Sequence, residues 1–173
     1  GTLWLQAGIT ILYIIWLLFI KPRSKRSFVA VQAGVSLFVG TTALSIIAFA
    51  WDPFFFVIGM WGLGYVVSRH VLSSYEEPHV TLYSLIAGLV TAELAWIGFH
   101  WQMAYPIPGF GQIHFSQLAL FLMLFGLVSE RAYASYHKYG EVRRSDVILP
   151  ILLTIGVMIA VYVLALFYGS DAL

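Results

Sequence analysis

Six apolar runs, each of about twenty residues, follow one another along the chain at 3–20, 28–50, 54–72, 80–101, 115–134 and 147–167. A hydrocarbon core of about 30 Å takes a helix of about this length, and every backbone N–H and C=O inside it must be satisfied within the segment. The runs therefore predict an all-α fold, a polytopic integral membrane protein built as one bundle of six transmembrane helices over residues 1–173. Charged residues make up only 10% of the chain, against roughly 25% in soluble domains. No polar stretch between the runs is large enough for a soluble domain, so a single transmembrane domain is expected.

The charges supply a topology. All nine cations (Lys21, Arg23, Lys25, Arg26, Arg69, Arg131, Lys138, Arg143 and Arg144) fall in the first, third and fifth connections or in the run ends that lead into them. Cytoplasmic loops carry the Lys/Arg excess, so these connections are expected inside and both termini outside. The expected location is a multi-pass place in the cell membrane, either a plasma membrane or a bacterial inner membrane. The basic loops could bind anionic headgroups, yet orientation alone accounts for them, and no nucleic-acid partner is expected. The lipid bilayer is the first partner, with other membrane subunits or self-association next. The chain opens at Gly1-Thr2-Leu3 without a methionine, and an upstream signal or span is expected before it. The absence of cysteine excludes disulfides, thiolate nucleophiles, iron–sulfur clusters and zinc–thiolate sites.

Local signals mark several helix ends. Asp52-Pro53 pairs a capping side chain with a proline suited to the first helical position. Helical character is expected to run on from the fifth span through Tyr133, Tyr136 and Tyr139, an interfacial belt, to a stop at Gly140. Ser145-Asp146 offers an N-cap for the last span, with Pro150 close enough to the start to be tolerated. In the fourth span Ala87, Thr91 and Ala95 form one stripe and Gly88 and Ala92 a neighbouring one. Such small faces admit close helix approach, and this span is expected inside the bundle rather than against lipid. The loop after it, 102–114, has prolines, glycines and aromatics but no formal charge, and is expected to fold back onto the bundle mouth.

Glu93 is the acidic residue set deep in an apolar run, about 20 Å along the fourth span. An ionisable group at that depth marks a functional site or a polar tie between helices. His100 lies two turns on, on nearly the same face, and Trp96 lies between them. Asp52, Trp101 and His114 fall at the same end of the expected bundle. Together, Glu93, Trp96, His100, Trp101, Asp52 and His114 form a candidate ligand-binding set in an outward-facing pocket. Histidine with carboxylate suits zinc or iron, yet no HExxH or other fixed ligand spacing is present, and solvated interfacial histidines explain the same residues. The metal and the cofactor are both left unassigned.

Enzyme signatures are missing: there is no GxSxG elbow, no paired acidic metal motif within a span and no glycine-rich phosphate loop. Glu76-Glu77 lacks the arginine that follows the paired glutamates of CAAX-type membrane proteases. A retinal site is excluded because Lys21, Lys25 and Lys138 all lie in connections. Two function classes follow, and an intramembrane enzyme comes third. In one, the protein binds or transports a small solute or ion through the pocket around Glu93. In the other, it is a non-catalytic membrane subunit or assembly partner whose small-residue faces pack against other chains.

Overall fold

A computed structural model describes residues 26–48, 52–100, 104–106 and 114–168. Within them lie five helices, each long and apolar enough to cross a membrane: α1 (Arg26–Ala48), α2 (Pro53–Ser73), α3 (Val80–Phe99), α4 (Gln117–Tyr139) and α5 (Arg144–Tyr168). The expected first span, 3–20, lies outside the described residues, so five of the six expected spans are observed as helices. Two three-residue strands, β1 (Ala104–Pro106) and β2 (His114–Ser116), pair antiparallel with Tyr105 opposite Phe115. They turn the charge-free connection back on itself between α3 and α4, and β2 approaches α1.

The helix ends follow from their residues. Asp52 caps α2, its Oδ1 accepting the Phe54 N–H at 2.9 Å, and Pro53 occupies the first helical position where no N–H is needed. Gly140 closes α4 in the left-handed region at φ 73°, its N–H donating to the Tyr136 carbonyl at 2.8 Å. The start of α5 departs from the expected N-cap. Arg144 is already helical, and Asp146 lies in the first turn. Its Oδ2 accepts the Ser135 hydroxyl of α4 at 2.8 Å, while Ser135 Oγ accepts the Arg143 N–H at 2.9 Å. The carboxylate takes its shorter bond from the neighbouring helix, and a longer one, at 3.4 Å, from Ser145 of its own.

Small residues set the closest approach, between α2 and α3. Ser84, Gly88, Ala92 and Ala95 are the buried residues of α3. A Cβ on Gly88 would come within 2.9 Å of the Trp61 carbonyl oxygen, and one on Gly64 within 2.6 Å of Thr91 Cβ. The hydroxyls on this seam return to their own helix: Ser84 Oγ donates to the Val80 carbonyl and Thr91 Oγ1 to the Ala87 carbonyl. The buried core joins α2, α3 and α4 through Phe56, Met60, Ala95 and Leu122. α1 packs on α2 and α4, and α5 packs on α4 at the edge of the bundle.

The expectation that the fourth span is enclosed holds for one face only. The face of α3 turned from α2 carries Leu82, Ile86, Leu89, Glu93, Trp96 and Ile97, all exposed. Among the described residues, α3 has a packed face of small residues and an uncovered face of large ones.

Candidate functional site

Three of the six sequence candidates share that free face. Glu93, Trp96 and His100 follow at intervals of three and four residues, which stacks them on one side of a helix. His100 closes α3: its Nδ1 donates to the Trp96 carbonyl at 3.0 Å, and its ring meets the Trp96 ring edge-on, with centroids 4.9 Å apart. Glu93 makes no hydrogen bond or ion pair among the described residues. It projects from an otherwise apolar stripe in which Leu89 is 55% and Ile97 62% exposed.

The other three are placed differently. Asp52 is exposed and its carboxylate is engaged in capping α2, which gives it a local structural task. Trp101 lies outside the described residues. The backbone of His114 sits in β2 opposite Pro106, and its side chain lies outside the described set. A cavity of about 210 Å³ does open near this level, between α3, α4 and α5. It is walled by Leu94, Ile97, Phe121 and Met158, with Gln117 and Tyr162 as its polar groups, and Glu93 does not line it.

The densest polar constellation is at the opposite end, where the described cations gather, and the sequence candidates did not include it. Tyr75, in the connection after α2, donates its hydroxyl to Glu130 Oε1 of α4 at 2.9 Å. Tyr133, one turn along α4, donates to Glu77 Oε2. His137, one turn further, donates from Nε2 to the Tyr75 carbonyl at 3.2 Å. The Tyr75 ring meets Tyr133 and His137 edge-on at 5.1 and 5.2 Å, and the Arg26 guanidinium lies 5.0 Å above it. Arg131 Nε stands 3.5 Å from the second oxygen of Glu130.

This arrangement ties the start of α1, the α2–α3 connection and the end of α4 together. The turn is possible because Glu76 takes a left-handed conformation at φ 56°, which sets Tyr75 and Glu77 towards α4. Burial, reinforced by the bond to the Glu130 carboxylate, pushes the Tyr75 hydroxyl up to about 12. A signal for the cluster was present in the spacing of Glu130, Tyr133 and His137, which places one acid, one phenol and one imidazole on one face of α4. Tyr133 has a specific carboxylate partner and does more than anchor the helix in an interfacial belt.

Among the described residues no group of three or more His, Asp or Glu is disposed to hold a metal ion. Five apolar helices, an internal seam of small residues and polar groups gathered at helix ends define a multi-pass helical membrane protein. Comparison with protein-family models, with curated proteins and with solved structures finds no match to this chain.

Proposed function

We propose that the chain is a non-catalytic subunit or assembly partner of a larger membrane complex, and that the free face of α3 receives a transmembrane helix of another protein with Glu93 as the polar anchor. One observation carries this: an ionisable side chain stands on an apolar face about 20 Å along α3, uncovered among the described residues. A carboxyl facing lipid at that depth is expensive, and intramembrane acids are as a rule turned to a partner or a cavity. The partner chemistry that fits is a helix with a hydrogen-bond donor or cation at the depth of Glu93. A second copy of this chain, related by a two-fold axis across this face, would set Glu93 against Glu93 and is the less complementary occupant.

In this proposal residues 3–20 supply a sixth span, the cation-rich connections face the cytoplasm, both termini lie outside, and the host is the cell membrane. Binding or transport of a small solute or ion stands as the second reading. It is favoured by the shared face of Glu93, Trp96 and His100, and it requires a partner surface to complete the pocket.

Because the chain has no cysteine, a single Ile97→Cys change gives a unique probe on this face. In native membranes the introduced thiol is expected to be shielded from a lipid-soluble maleimide and to cross-link to another chain, with both effects lost on adding Glu93→Leu. Labelling as fast as at Ile159→Cys, on the exposed face of α5, would show a lipid-facing surface and sink the proposal. Shielding without a cross-linked chain, relieved by removing a bound small molecule, would favour the second reading.

A further inference from the structure

At the cationic end α4 and α5 diverge around an open groove of about 510 Å³. Its apolar floor is formed by Leu127 of α4 with Leu149, Pro150 and Leu153 of α5. Leu149 is 73% exposed, so hydrocarbon reaches the groove from the side. The rim is cationic. Arg131 and Lys138 stand two turns apart on the α4 face that lines the groove, and Arg143 and Arg144 lead into the lining residues Ser145 and Asp146 without lining it themselves. Arg131 also pairs with Glu130 at 3.5 Å, and Arg143 with Glu141 at 3.5 Å, while Lys138 and Arg144 have no ion pair among the described residues.

The one acid in the groove is Asp146, whose carboxylate is turned onto two hydroxyls, Ser135 at 2.8 Å and Ser145 at 3.4 Å. Of the two cations lining the groove, Lys138 has no ion pair among the described residues and Arg131 shares Glu130, while the one acid there has both oxygens engaged. A ligand that fits carries an anionic head at the level of Arg131 and Lys138 and hydrocarbon along Leu149 and Leu153. α5 is held to the bundle through α4, so a wedge-shaped molecule can occupy this space without displacing a helix contact.

We propose that the α4–α5 groove is a binding site for an anionic phospholipid, with the phosphate between Arg131 and Lys138 and the first acyl carbons on the leucine floor. Basic pockets between transmembrane helices have the charge and the depth for such headgroups, and the attraction is worth about fivefold in affinity per cation. The site is separate from the free face of α3, so its test is independent of the proposed assembly role.

The full chain, purified and stripped of lipid, is offered phosphatidylglycerol or phosphatidylcholine at equal concentration and bound lipid is counted by native mass spectrometry. The expected result is retention of phosphatidylglycerol over phosphatidylcholine. In Arg131→Gln/Lys138→Gln affinity should fall about 25-fold, while Arg69→Gln, at the same end but outside the groove, should stay within about twofold. Leu149→Trp, which fills the floor and leaves every charge in place, should also abolish retention, and it serves if the double variant fails to fold. Equal retention of the two lipids overturns the proposal, as does an equal loss in Arg69→Gln, which would mean diffuse attraction to the basic end. Displacement of the lipid by millimolar inorganic phosphate would assign the cations to a soluble phosphate and overturn the lipid assignment as well.

Discussion

Glu130 and Glu93 are both glutamates on long apolar helices, and the chain treats them in opposite ways. The Glu130 side chain is only 10% exposed, takes the Tyr75 hydroxyl on one oxygen and has Arg131 beside the other. Glu93 is exposed on the free face of α3 with no described partner. Buried polar groups cost free energy unless they are paired, and at the Glu130 end the chain brings three segments together to supply a hydrogen bond to one oxygen and an ion pair to the other. On α3 it supplies none. An internal fastening is completed by its own residues, whereas a polar group left open on an apolar face belongs to whatever is to cover it.

The difference is broken most directly at Glu130. Glu130→Ala removes the acceptor of the buried Tyr75 hydroxyl and the partner of Arg131, and is expected to destabilise the detergent-solubilised chain by about 2–3 kcal/mol, read as a lowered unfolding midpoint. An unchanged midpoint would mean that the cluster does not hold the three segments together.

The packed face of α3 comes next. Gly88→Val would press a branched side chain onto the Trp61 carbonyl and is expected to cost about 2 kcal/mol, whereas Leu89→Ala on the free side should cost less than about 0.5 kcal/mol in the isolated chain. Equal costs would show that the two faces are not distinct.

A smaller effect is expected from alkaline pH. Tyr75 keeps its proton up to about 12 in the folded chain, while an ordinary tyrosine loses it near 10. The stability linked to this group is therefore complete below pH 10 and is lost as pH rises through 12. Tyr75→Phe should be less stable at neutral pH and show a shallower decline across that window; a decline as steep as in the unaltered chain would assign the titration to other groups.

Much of this contrast is written in the sequence, unevenly. Helix positions are legible because run length and hydrophobicity are local properties, and because Asp52-Pro53 and Gly140 punctuate them by chemistry that needs no distant partner. Enclosure of the fourth span holds, among the described residues, for its small-residue face alone. Depth along a helix says nothing of azimuth, and the small residues of that span hold the answer: Glu93 lies two positions from Ala95, about 160° round the helix from the stripe that packs on α2. The Tyr75–Glu130 and Tyr133–Glu77 pairs are separated by 55 and 56 residues, so the sequence shows their members without showing that they meet. Ser135 and Asp146 are closer in sequence, yet their bond depends on the tight turn after Gly140, which displaced the expected start of α5.

The smallest expected effect is the most discriminating. Glu93→Leu in the isolated chain removes no hydrogen bond or ion pair found among the described residues, and the side chain lies on an exposed stripe beside Leu89 and Ile97. Its unfolding midpoint should therefore move by less than about 0.5 kcal/mol, and upward if it moves at all, since leucine suits a helix and an apolar face better than glutamate suits the latter. A loss of 2 kcal/mol or more would place Glu93 in an internal bond like that of Glu130 and end the contrast between them. A silent substitution in detergent that nonetheless abolishes the Ile97→Cys cross-link in native membranes would locate the role of Glu93 outside its own fold, in the chain that α3 meets.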